Sequence, residues 1–183
     1  MTELTISRTD VFFAFENSLQ PVARISQNQV VTMETHDCFE GQLKSSSDLL
    51  DKLDWDHVNP ATGPVFIEGT KPGDILQVDI LSMEVGEKST MVTLPGEGAL
   101  GDIITEMETT VLSNSGGNVV FKGRVNVPAR PMIGVIGVAP AEGKVPNGTP
   151  GPHGGNMDCT LVTAGASIYF TVGVEGALFG AGD

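Results

Sequence analysis

Two stretches of the 183-residue sequence gather side chains that can break bonds. In Glu34-Thr35-His36-Asp37-Cys38-Phe39-Glu40-Gly41-Gln42, carboxylates, an imidazole and a thiol follow a short apolar run. A thiol beside an imidazole is the makings of a nucleophilic site, and carboxylates with an imidazole are the makings of a metal site. Extended residues alternate sides, so Glu34, His36 and Cys38 share one face and Thr35, Asp37 and Phe39 the other. A single site therefore needs a bend here, or uses only some of these groups. The competing structural reading is a solvated strand end with Cys38 packed as a small hydrophobe. The second stretch is His153-Gly154-Gly155-Asn156-Met157-Asp158-Cys159. Consecutive glycines allow the amides of Gly154 and Gly155 to converge on a developing oxyanion, with Asn156 as a further donor, while His153 and Asp158 offer acid, base or ligand chemistry. Its competing reading is a surface loop with an incidental histidine.

Other motifs carry less. Gly96-Glu97-Gly98-Ala99-Leu100-Gly101 has the spacing of a phosphate-cradling loop, but Pro95 precedes it and no strand-helix-strand unit surrounds it, so turn-forming glycines are the better account. A G-x-S-x-G nucleophile elbow is absent from the sequence, which removes the serine-hydrolase reading of His153-Gly154-Gly155. Asn147-Gly148-Thr149 fits a glycosylation acceptor, but Pro150 follows, and the segment reads as a turn. The acids Asp48, Asp51, Asp54 and Asp56 read as a solvated face, Trp55 as packing, and His57 as either structural or cleft-lining.

The elements that must position these groups are strands. Apolar residues return at a spacing of two in Leu76, Val78, Ile80, in Val119, Phe121, Val125, Val127, and in Ile168, Phe170, Val172, Val174, which places one face of each segment inward. Shorter strands are expected over Gln29 to Glu34, Pro64 to Glu68, Thr90 to Leu94 and Met132 to Val138. Turn signals at Asn59-Pro60, Lys71-Pro72-Gly73-Asp74, Pro95-Gly96 and Ser113 to Gly117 separate them. Helical turns are expected only at Ser47 to Leu53 and Ala99 to Glu106. The 23 glycines and 11 prolines add many turns, and the segment from Pro140 to Asn156 is so rich in both that it reads as one long functional loop. The fold expected is mainly β, an antiparallel sandwich or barrel with long Gly/Pro-rich loops and few short helices, in one unit over 1–183.

Composition narrows the function. A net charge of −13 and a pI near 4.4 repel a phosphate backbone and argue against nucleic acid as partner. Val11 to Phe15 is too short for a signal-peptide core, and Gly173, Glu175 and Gly176 interrupt the apolar stretch from Ile168 to Phe179, so neither an export signal nor a membrane span is read. Two cysteines, Cys38 and Cys159, make no disulfide framework, and the cytoplasm is the simpler home.

Taken in order, four blocks resemble the acetamidase/formamidase family of amide hydrolases: Glu34 to Gln42; Asn59 to Pro64 with Glu68-Gly69 and Pro72-Gly73-Asp74; Gly134 to Pro140; and Gly151 to Asp158. The resemblance implies a mostly β architecture, hydrolysis of short aliphatic amides such as formamide or acetamide, a divalent metal with zinc first, a cytoplasmic location and self-association into a homo-oligomer. It also implies a longer pattern, with a further histidine and a Gly-Asp-Gly-Glu run after Asp183, so that a second chain or a C-terminal part completes the site.

Within that reading Asp37, Asp158, His36 and Asp183 are the candidate metal ligands. Gly154, Gly155 and Asn156 receive the oxyanion, and a carboxylate or His153 protonates the departing ammonia. A rival makes Cys38 the nucleophile with His36 or His153 as base, although the negative side chains of Glu34, Asp37 and Glu40 work against a thiolate. A third reading keeps the fold without the chemistry, as a β-rich binding or structural domain.

Overall fold

The computed structural model describes residues 4–183. Among them the chain forms β1 (Leu4–Ile6), β2 (Val11–Phe12), β3 (Ala14–Glu16), β4 (Ala23–Ile25), β5 (Val31–Met33), β6 (Ala61–Ile67), β7 (Ile75–Asp79) and β8 (Lys88–Thr93). It continues with β9 (Glu108–Ser115), β10 (Asn118–Phe121), β11 (Val125–Pro128), β12 (Val135–Gly137), β13 (Lys144–Pro146), β14 (Gly154–Asn156), β15 (Ser167–Thr171) and β16 (Phe179–Gly182). The helical content of these residues is two short 3-10 turns, Leu50–Lys52 and Trp55–His57. The fold is mainly β, as the spacing-two pattern predicts. Most ladders are antiparallel, but β1 with β5 and β4 with β6 run parallel. None of the described helices is long and apolar enough to cross a membrane.

The single unit expected over 1–183 resolves into two compact units. The first takes residues up to 40, 56–83 and 132–183; the second takes 41–55 and 84–131. Because each is stitched from separate stretches, no compositional seam marks the division. The first unit is built on a six-stranded sheet ordered β14-β12-β16-β6-β2, with β4 added beside β6. Val65, Ile136, Val138, Phe170, Val172 and Phe179 fill its core, each buried side chain stabilising by about 1.5–3 kcal/mol. β7 pairs with β15, Gln77 opposite Tyr169 and Leu76 opposite Phe170. As the alternation requires, Phe170 is buried and Tyr169 exposed.

The second unit is an antiparallel sheet ordered β11-β10-β9-β8, with Leu43, Leu50, Leu53 and Leu112 as its buried leucines. The run from Val119 to Val127 is two strands, because Lys122 and Gly123 take positive φ and turn the chain. The helical turn expected at Ala99 to Glu106 is instead irregular turn structure. Gly96 N–H donates to the Gly101 carbonyl across 3.1 Å, so this glycine string closes a turn.

The long loop expected from Pro140 to Asn156 carries two short strands within otherwise irregular chain. β13 pairs with β3 and β14 pairs with β12, and close packing is what the glycines permit. A Cβ on Gly154 would fall 2.1 Å from the Ile136 carbonyl oxygen, and one on Gly137 would fall 2.4 Å from that of His153. Only residues without a side chain let these backbones approach.

Candidate active site

Three segments of the first unit bring acids to one place. After β5 the chain runs extended to Asp37 and then bends. Glu40 N–H donates to the Asp37 carbonyl (2.9 Å), and Phe39 N–H to Asp37 Oδ1 (3.1 Å), so Asp37 caps its own turn. Glu40 and Gly41 follow with positive φ. This is the bend that strict alternation lacked, and it lets Asp37 and Cys38 act on one neighbourhood despite their adjacent positions. Asn59 N–H fastens the bend from outside by donating to the Cys38 carbonyl across 2.7 Å.

The other acids come from the central sheet. Asp158 follows β14 and Asp183 follows β16, both at positive φ, and Gly134 stands at the head of β12 between them. With its amide nitrogen turned toward the acceptors, Asn156 donates to Asp158 Oδ1 (3.0 Å), Asp183 Oδ2 (3.2 Å) and the Gly134 carbonyl (3.2 Å). A Cβ on Gly134 would lie 2.7 Å from Asp183 Oδ2 and 3.0 Å from Asp158 Oδ1, so only glycine leaves room for the two carboxylates.

The electrostatics record the crowding. Burial, then the charges of Asp183, Asp37 and Asp158, push the Cys38 thiol up to about 12. Burial, then Asp158 and Asp37, push the Asp183 carboxyl up to about 6, against a hydrogen bond with Cys38 that lowers it. Like charges near a half-buried group favour its neutral form, and both shifts have that sign. Cys38 therefore stays a thiol near neutral pH, which weighs against a thiolate nucleophile. Opposition from acids is what the sequence predicts, but its sources differ: Asp183 and Asp158 join Asp37, while Glu34 and Glu40 are not among them.

The structure thus gathers Asp37, Cys38, Asn156, Asp158 and Asp183. His36, half-buried, takes no part in the hydrogen bonds or charge couplings shown for this cluster among the described residues. His153 is only 7% exposed, and its ring packs edge-on to Phe15 at 5.3 Å. Burial lowers its pKa, and Nε2 has no partner. The imidazole lies in the core against Phe15, apart from the acids gathered here. The amides expected to form an oxyanion hole are also committed elsewhere. Gly154 N–H donates to the Gly151 carbonyl (3.0 Å), and Gly155 is laddered to Ile136. The glycines serve strand packing, and the Asn156 amide donates to carboxylates.

Residues 6–149 match the family model described as the Acetamidase/Formamidase family. The chain belongs to the acetamidase/formamidase family. Its architecture is that of solved members. An acetamidase from Bacillus halodurans superposes with a TM-score of 0.95 at 39% identity, over 98% of this chain and 61% of that one. A recombinant predicted acetamidase/formamidase from the thermophile Thermoanaerobacter tengcongensis gives 0.94 at 46% identity, over 99% and 60%. An acetamidase from Yersinia enterocolitica gives 0.88 at 25% identity, over 100% and 60%. The chain thus spans about three fifths of the solved acetamidases it matches. No curated protein matches it.

Among the described residues no group of three or more His, Cys, Asp or Glu side chains is placed to hold a metal ion. The carboxylates of the acid cluster are nonetheless oxygen donors of the kind divalent cations take, and their mutual repulsion adds to burial in raising Asp183 and Cys38. Sequence reasoning did not single out Gly134 as a site-building residue, although the recurrence of glycine at 134 and 137 was an available signal.

Proposed function

We propose that this chain supplies the acid-bearing part of an amidase site that hydrolyses short aliphatic amides, such as formamide or acetamide, to carboxylate and ammonia. The observation that carries the reading is the meeting of Asp37, Asp158 and Asp183 around Cys38, with Asn156 hydrogen-bonded to two of the carboxylates, in a chain of this family. A carboxylate of this neighbourhood that is not engaged by a cation is suited to take a proton from water and return it to the departing ammonia. Asn156 orients the acceptors, and Cys38 remains protonated beside them.

Asp37, Asp158 and Asp183, with His36 as the adjacent donor, are the residues that would hold a divalent ion, zinc first. Such an ion supplies Lewis acidity toward the amide oxygen and acidifies water. Because the described residues offer an incomplete donor set, the remaining ligands are assigned to a second polypeptide or segment carrying the C-terminal part of the family pattern. A cytoplasmic location and a homo-oligomer complete the proposal.

Ammonia release from formamide and acetamide tests it, using the chain alone and together with that C-terminal part, each with chelator and with added zinc. Activity that needs the second part and is lost to chelator supports the reading, and Asp158→Ala should then lose both metal and activity. Full activity in that variant removes Asp158 from the site. Loss to iodoacetamide but not to chelator would restore Cys38 as nucleophile. A folded protein silent under every condition would favour a β-rich binding domain, the reading that the incomplete donor set supports.

A further inference from the structure

We infer that Asn147 is a positioning residue of the site, a buried residue through which the Cys38 bend and the Asn156 strand are held in register. Its side chain is almost wholly enclosed, with the residue 1% exposed, and it sits in the turn after β13. Asn147 Nδ2 donates one hydrogen to the Phe12 carbonyl (2.8 Å) and the other to the Asn59 carbonyl (2.9 Å). Asn59 N–H in turn donates to the Cys38 carbonyl (2.7 Å). On its other side the Asn147 carbonyl accepts the Asn156 N–H (2.7 Å), and its own N–H donates to the Phe13 carbonyl (2.9 Å). The path from Cys38 to Asn156 therefore runs through two residues, Asn59 and Asn147, and every step is a hydrogen bond to a backbone group.

The chemistry of the position selects asparagine for its donors. Both amide hydrogens are used, while buried Oδ1 has no partner, so the acceptor is tolerated rather than needed. An aspartate would face two carbonyls with no hydrogen to give, a leucine would satisfy neither, and a serine offers one donor. The neighbours are shaped for the same contact. A Cβ on Gly148 would come 3.0 Å from Asn59 Nδ2, and Asn59 itself is held at φ 53°, a conformation that persists when surrounding bonds over-determine it. Asn147 touches none of the acids, so it acts through Asn59 and Asn156 and is not a catalytic residue.

Amide hydrogen exchange read by NMR on the wild-type chain makes the first test and requires no activity. The amides of Asn59, Asn147 and Asn156 should open as one unit, with opening equilibria agreeing to within about threefold as denaturant is added. In Asn147→Ser, Asn59 and Asn156 should both exchange about 10-fold faster or more, while Val65 and Ile136 of the central sheet keep their rates. Independent opening of Asn59 and Asn156 in the wild type overturns the inference, whether or not the variant folds. So does loosening of one segment alone, or equal acceleration of Val65 and Ile136.

A kinetic arm rests on the amidase reading above. With the C-terminal part present, Asn147→Ser should lower kcat about 10- to 100-fold with KM within about threefold, since displaced groups cost chemistry more than binding. An unchanged kcat in a variant with loosened segments would overturn the positioning role. A wild-type assembly without activity would count against the amidase reading and leave the exchange result to judge Asn147 on its own.

Discussion

The bend at residues 34–41 and the segment at 151–158 that contains β14 solve opposite problems. In the bend, left-handed Glu40 and Gly41 turn the chain so that neighbouring side chains, Asp37 and Cys38, bear on one spot. In the strand, Gly154 and Gly155 remove side chains so that backbone can lie against Ile136 and Thr149, and the histidine before them is drawn into the core against Phe15. Positive φ serves reach in the first and proximity in the second. The lesson is that a glycine pair beside a histidine is an oxyanion site only where its amides are free, and a ladder partner takes that freedom away.

Substitution in the strand should break this contrast most sharply. Gly154→Ala places a methyl group 2.1 Å from the Ile136 carbonyl oxygen at φ 108°, so a loss of more than about 3 kcal/mol in chemical denaturation is expected. A stable but inactive Gly154→Ala protein would instead assign the glycine to catalysis.

In the acid cluster, Asp183→Asn should raise stability at neutral pH. Burial and the neighbouring acids raise the folded carboxyl to about 6 from an ordinary value of 3.8. Its contribution to stability is therefore fully present below the unfolded pKa and is lost as pH rises through the folded one. Relative to wild type, the variant should gain about 1–3 kcal/mol above pH 6, discounted toward the lower figure by solvent screening, and nothing below about pH 4. Denaturant midpoints across that window check it, and a gain that persists at low pH would show that charge is not the cause.

Alkylation rates offer a third probe, because Cys38 at about 12 should react slowly with iodoacetamide at pH 8. Asp183→Asn should quicken it about 10-fold by removing the largest of the charges acting on the thiol. Carried out on a Cys159→Ser background, an unchanged rate would separate Cys38 from the cluster.

The smallest effect is expected at His153. Replacement by phenylalanine removes the unpaired Nε2 and should change stability by no more than about 1 kcal/mol in either direction, with activity in the assembled enzyme close to that of wild type. A loss of 100-fold or more would return His153 to the reaction.

Much of the scaffold is legible from side-chain spacing. The Leu76-Val78-Ile80 and Ile168-Phe170-Val172 alternations name the inward faces of β7 and β15, because strand geometry assigns sides locally. Asp37, Cys38, Asn156 and Asp158 stand out as chemical groups beside turn-forming residues. Less legible is anything that depends on a partner strand. The Pro140 to Asn156 segment reads as a loop because glycine and proline are turn formers, yet β3 and β12 each pair with a short strand of it. Asn147 passes for a turn residue, because no local pattern shows that its amide reaches Phe12 and Asn59.

By itself the sequence determines a mainly β chain, an acidic surface, the positions where the backbone must turn, and the inventory of acids from which a site is made. Those follow from local sterics, composition and a period of two, which need no knowledge of the rest of the chain. Only the tertiary structure decides that Asp37, Asp158 and Asp183 converge, that Cys38 is held as a thiol among them, and that His153 turns inward. Convergence depends on β12 lying between β14 and β16, which brings residues distant in sequence within reach of one another. Pairing of that kind is settled by the packing of the whole core rather than by any one segment.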